Sequence, residues 1–213
     1  MSAPALPSDT HRVELVSMDP HFQGISIALY QRSAEEGAAE FLVYSFSTKT
    51  GASERVAFAA RAMRTLGGMV SCAQDPFLRF DCGREHLLAC RRLFLEACKI
   101  EPSHTPLEPR PLSTFDKRSE LTIDIVSEGN GRYRVRGEEG ADRRIAVAAG
   151  GLVKLTDMEA LDDSMDRVGF DCGCAHDELV GLLLPRALNV RTVMREIEAA
   201  AARGVLSAPS GQE

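Results

Sequence analysis

"FDCGREH" occupies residues 80–86, and "FDCGCAH" occupies residues 170–176. Phe, Asp, Cys, Gly and His recur at the same spacing, which makes internal duplication the first question about this chain. Set without a gap, residues 41–69 ("FLVYSFSTKTGASERVAFAARAMRTLGGM") lie over residues 130–158 ("NGRYRVRGEEGADRRIAVAAGGLVKLTDM"). Tyr44 then meets Tyr133, Gly51 meets Gly140, Arg55 meets Arg144, and Leu66 and Met69 meet Leu155 and Met158. One inserted residue later the two FDCG words coincide. The alanine matches carry little weight in an Ala-rich chain, but Tyr, Gly, Arg, Cys and His in one register predict a repeat.

Each copy reads as the same run of elements. In the second, "LTIDIV" and "RYRVRG" flank "SEGNG", where Asn130-Gly131 supplies the positive φ angles of a tight hairpin turn. In the first, "ISIALYQ" and "EFLVYSF" form the corresponding pair across "RSAEEGAA". Ser53 and Asp142 stand where helices should start and are expected to cap them. The helices that follow carry Val56, Ala60 and Met63, and Ile145, Ala149 and Leu152, at core-facing spacing. "FLRFDC" and "RVGFDC" read as short strands ended by glycine. The segments 84–98 and 175–202 read as closing helices, the second kinked near Pro185. "RVELVS" adds a strand in front of the first copy.

The expected fold is therefore α+β: an internally duplicated ββαβα unit with an extra N-terminal strand in copy one. A hairpin is antiparallel and a strand–helix–strand step favours parallel neighbours, so each sheet is expected to be mixed, with its helices on one face. Residues 11–100 and 119–205 should form the repeats. "EPSHTPLEPRPLSTFDKR" (101–118), with four prolines, should be a linker, and residues 1–10 and 206–213 disordered ends. In element order alone, duplicated units of this kind resemble those of the imidazoleglycerol-phosphate dehydratases and the zinc deacetylase of lipid A synthesis. The paired-histidine metal motifs of those enzymes are not in this chain, and order of elements implies no activity.

At 213 residues and 44% hydrophobic content, the chain can bury one large core or two small ones. A net charge of −6 argues against nucleic acid or an anionic membrane surface as partner, since each needs a concentrated basic face. The skew of 21 Arg to 4 Lys, with many Ala, fits a GC-rich bacterial genome. The start has no basic stretch followed by an apolar one, and no run reaches bilayer length, so a cytoplasmic protein is expected. In that setting six cysteines are reduced thiols or metal ligands rather than a disulfide framework.

The repeated word has an architectural reading and a chemical one. A strand that leaves the core and turns into a helix needs an apolar anchor, a polar residue and a residue tolerant of unusual backbone angles, and Phe, Asp and Gly provide them. Cys82 and Cys172 would then be small buried hydrophobes. Chemically, a thiol before a helix with a histidine four residues on makes a ligand pair. Two copies could bring Cys82, His86, Cys172 and His176 into one tetrahedral Cys₂His₂ set for Zn²⁺, with Cys174 a spare ligand. A third reading is nucleophilic or redox chemistry by Cys172, with His176 as activating base and Cys174 as resolving thiol. Lys49, Ser53 and Arg55, before and within a helix N-terminus, form a weaker anion-binding candidate. Cys90 and Cys98 read as core, His11, His21 and His104 as solvent-facing, and Arg55 and Arg144 as partners for nearby carboxylates or for an anionic ligand. The first expectation for function is a binding or interaction role toward a small molecule or protein, with a homodimer allowed. The alternative is a metal-dependent (Zn) or thiol-dependent enzyme.

Overall fold

A computed structural model describes residues 6–16, 24–34, 38–72, 76–102 and 106–202, with side chains to residue 199. The chain divides into two compact units, Met1–Pro109 and Arg110–Glu213.

In the first unit the elements are β1 (His11–Val16), β2 (Ile27–Ser33), β3 (Ala39–Tyr44), α1 (Ala52–Gly67), β4 (Met69–Ser71), β5 (Leu78–Phe80) and α2 (Leu87–Lys99). The strands lie in the order β1-β2-β3-β5-β4, every neighbouring pair antiparallel. This corrects the expectation of a mixed sheet, and the reason is local. Gly68 takes φ 65° and ends α1, and the chain goes directly into β4, a three-residue strand that sequence reading passed over. β3 and β4 do run parallel, as a helical crossover demands, but β5 returns between them antiparallel to both. The core holds Leu29, Phe41, Met63, Phe80, Leu93 and Phe94, all fully buried. On α1 the buried stripe is Ala52, Ala59, Met63 and Leu66, while Val56 and Ala60 sit half-buried beside it. Residues 6–10, expected to be disordered, make a turn in which both the amide and the hydroxyl of Thr10 donate to the Pro7 carbonyl. Leu6 packs on the cluster of Ala28, Tyr30, Leu42, Tyr44 and Phe77.

The second unit repeats the order with β6 (Ser113–Asp116), β7 (Leu121–Gly129), β8 (Arg132–Gly137), α3 (Asp142–Leu155), β9 (Met158–Ala160), β10 (Arg167–Phe170) and α4 (Asp177–Ala187), then adds α5 (Arg191–Ala202). Its sheet is β6-β7-β8-β10-β9, again antiparallel throughout. β6 corrects two expectations at once. The strand lies inside the supposed linker 101–118 and is the counterpart of β1, so the leading strand belongs to both copies and the unit is βββαββα. Asn130 (φ 51°) and Gly131 (φ 69°) form the two-residue hairpin turn the sequence demanded.

Neither Ser53 nor Asp142 caps a helix. The cap positions are Gly51 and Ala141, neither with a side-chain bond, and Ser53 and Asp142 fall within the first turns. The helix kink expected near Pro185 is a full break. α4 ends at Ala187, Asn189 turns its side-chain amide back to the Pro185 carbonyl, and α5 starts afresh. Val193 and Ile197 of α5 then pack against Ala146 and Val147 of α3.

Arg144 meets the expected carboxylate, with Nε 2.5 Å from Asp116 Oδ2, and Nη2 donates to the Leu188 carbonyl at 2.8 Å. One guanidinium thus ties β6, α3 and the end of α4. Burial raises the Asp116 carboxyl, but the Ser119 hydroxyl, the Arg118 amide and Arg144 outweigh it, so the group is held below the usual range. Among the described residues no helix is long and apolar enough to cross a membrane.

Candidate functional site

In both units the second short strand after the crossover helix, β5 or β10, ends in the same hinge. The Gly83 amide donates to the Phe80 carbonyl at 3.0 Å and the Gly173 amide to the Phe170 carbonyl at 3.3 Å, closing four-residue turns with Asp and Cys at the corners. Gly83 and Gly173 take φ 72° and 70°, and nothing lies within 4 Å of where a Cβ would stand. Glycine is required there by the backbone angle and not by crowding. Gly83→Val and Gly173→Val are each expected to destabilise the protein by about 1–3 kcal/mol, whereas Gly→Asn, which tolerates this conformation, should cost clearly less. Thermal melts check this; valine variants that melt with wild type would contradict it.

After the turn the chain runs three residues in irregular conformation before the helix begins, so α2 starts at Leu87 and α4 at Asp177, later than periodicity predicts. His86 and His176 hold the N-cap positions, and their carbonyls accept the first helical bonds from Cys90 and Val180. Both imidazoles are buried, at 5% and 6% exposure. Each turns back on its thiol. Cys82 Sγ and His86 Nε2 are 3.2 Å apart, and Cys172 Sγ and His176 Nε2 are 3.4 Å apart. Phe80 and Phe170 stand nearly perpendicular to these imidazoles in T-shaped pairs, with centroids 5.4 and 4.7 Å away. The amides of Arg84 and Cys174 donate to the two sulfurs, each at 3.4 Å, an arrangement suited to anionic sulfur.

Each unit therefore offers one thiol–imidazole pair of the donor types that hold a metal ion, Cys82 with His86 in the first and Cys172 with His176 in the second. Cys174 is exposed, and only its backbone meets the Cys172 sulfur. None of the six cysteines is in a disulfide. Cys90 and Cys98 are core residues, as expected. Burial pushes the Cys98 thiol up to about 12, and burial together with Glu40 pushes Cys72 to about 11, so neither thiol ionises near neutrality.

Of the anion-binding candidates, Lys49 and Ser53 are exposed and Arg55 is half-buried. The Lys49 ammonium lies against Gly24, while the charge of Arg55 bears on Cys98. His11 is exposed. His21 and His104 lie outside the described residues.

Sequence reading missed Tyr133 as a site residue. The His176 amide donates to Tyr133 Oη at 2.6 Å, and the phenol donates to Asp177 Oδ1 at 2.9 Å. Burial, then the Asp177 carboxylate, raises the phenol far above its ordinary value, so it stays a neutral donor. The period-two pattern of "RYRVRG" put Tyr133 on the inward face, and a buried tyrosine needs a partner for its hydroxyl. Also missed was a hollow of about 340 Å³ floored by Ala146, Ala149, Val168, Val193 and Ile197, with Lys154 in its lining. α5 contributes Val193, Glu196 and Ile197 to that lining.

No family model matches the chain, and no curated protein or solved structure matches it.

Proposed function

We propose that the protein is a metal-binding protein whose ligand is one zinc ion held by Cys82, His86, Cys172 and His176. The observation that carries this reading is the thiol–imidazole pair made in each repeat from the same Cys-x₃-His spacing, with separations of 3.2 and 3.4 Å. Two such pairs supply a Cys₂His₂ set, the donor mix zinc favours in tetrahedral structural sites. Thiolate and imidazole disfavour Mg²⁺ and Ca²⁺, which take oxygen ligands. Four protein ligands leave no open position for water or substrate, so the role is binding and not hydrolysis. With one pair from each repeat, the ion is a clasp, and its binding free energy becomes part of the folding free energy.

The cytoplasm is the setting that suits this reading, because reduced thiols there remain available to zinc. A thiol-dependent enzyme would instead need Cys172 to act on its own, with Cys174 as its resolving partner across a strained Cys-x-Cys ring. Two measurements on protein purified without a polyhistidine tag separate these readings. Elemental analysis is expected to give about one zinc per chain, with Cys82 and Cys172 unreactive toward a thiol reagent until a chelator is added. Metal-free protein whose thiols react alike with and without chelator would overturn the zinc reading.

A further inference from the structure

The two halves of the site come from one word, but their surroundings differ in kind. β5 and β10 give the equivalence. Leu78 pairs with Phe41 and Val168 pairs with Tyr133, so Phe41 and Tyr133 hold the same place in the two sheets, and both are fully buried. Tyrosine at that place reaches the histidine backbone of its own unit, and phenylalanine cannot. The backbones differ accordingly. His176 sits at φ −133°, ψ 53°, whereas His86 takes φ 38°, ψ 50°, left-handed angles that a non-glycine residue adopts at a cost. The first unit also uses another device, the Gln31 side-chain amide donating to Glu85 Oε1 at 2.8 Å, one residue before the histidine.

We infer that Tyr133 is a positioning residue for the metal site, fixing the His176 half through its hydroxyl while the His86 half has no such lock from Phe41. The inference rests on the zinc reading above. Its physical content is that the Tyr133 oxygen accepts the His176 amide and is itself oriented by Asp177, so two hydrogen bonds fix the backbone from which the His176 imidazole projects before metal arrives. Preorganisation of this kind shows in affinity and in ligand-field geometry, not in the number of ligands.

The test is Co²⁺ titration of the full chain, read by the visible d–d bands and the sulfur-to-cobalt charge-transfer band. Tyr133→Phe is expected to weaken Co²⁺ binding by about 10–100-fold and to shift the d–d envelope, with far-UV circular dichroism unchanged at the assay temperature. Asp177→Ala, which frees the phenol, should lose roughly 3–10-fold, and Asp177→Asn, which keeps an acceptor oxygen, should stay within about twofold of wild type. Wild-type affinity and spectrum in Tyr133→Phe would overturn the inference while leaving the metal site intact. If Tyr133→Phe does not fold, wild-type affinity in Asp177→Ala overturns it. A wild-type chain that binds no Co²⁺ would overturn both this inference and the zinc reading.

Discussion

Cys82→Ser and Cys172→Ser are each expected to lower the stability of the zinc-loaded chain by about 4 kcal/mol when free zinc stands about a thousandfold above the dissociation constant. Serine keeps the volume of cysteine and its place in the turn, so the hinge itself loses little. What disappears is a thiolate ligand and, with it, the free energy that metal binding adds to folding. The two variants should suffer alike, because they remove equivalent ligands of one ion, and a chelator should bring wild type down to the same level. Denaturant melts with and without chelator are the measurement. Variants that melt with wild type, and a wild type indifferent to chelator, would reduce the repeated word to a piece of copied architecture. Cys174→Ser is the internal control: its exposed thiol is not one of the four proposed ligands, so no comparable loss is expected.

Gly151→Ala should produce the second largest effect, and its sign is opposite to intrinsic propensity. Alanine in a helix interior is ordinarily better than glycine by about 1 kcal/mol. Here a Cβ on Gly151 of α3 would stand 2.2 Å from the Ala187 carbonyl oxygen and 2.6 Å from the Ala187 carbonyl carbon and Cα. Those atoms are backbone at the end of α4, so no side chain can swing aside to make room. The helices must separate, disturbing the neighbouring Arg144 bond to the Leu188 carbonyl. A loss of about 3 kcal/mol is expected, at the upper end of ordinary overpacking costs. Thermal and denaturant unfolding of Gly151→Ala would show it. An unchanged or raised midpoint would mean that α3 and α4 do not cross this closely.

The sequence carried the repeat and both thiol–histidine pairs because FDCGxxH packs a turn, a ligand pair and a helix entry into seven residues. It carried the hairpin of β7 and β8 because Asn130-Gly131 leaves little choice of turn. The register between the copies was harder to read. Tyr44 and Tyr133 do lie in equivalent strands, β3 and β8, but they are not equivalent residues, since the true counterpart of Tyr133 is Phe41. Seven residues separate β3 from α1 and four separate β8 from α3, so a gap-free alignment that matches the helices slips the strands by three places. That slip hid Tyr133's role, which depends on its lying opposite the FDCG strand.

Other misreadings share a cause in length. β4 and β9 have three residues each, too few to display a period of two, and without them the return of β5 and β10 as antiparallel strands cannot be inferred. β6 is a four-residue strand embedded in proline-rich sequence, where composition argues for a linker. Side-chain chemistry that joins distant elements, such as Arg144 of α3 with Asp116 of β6, was legible only as a need for some carboxylate, because the partner is 28 residues away. The FDCGxxH pairs were legible because each closes within one turn of chain.

The most direct test is X-ray absorption at the zinc edge of tag-free, zinc-loaded full-length protein. Two sulfur scatterers at about 2.3 Å and two nitrogen scatterers at about 2.0–2.1 Å, with the multiple-scattering signature of two imidazoles and one zinc per chain, are the predicted result. One sulfur and one imidazole per zinc with oxygen filling the remaining positions, at two zinc ions per chain, would contradict a shared site.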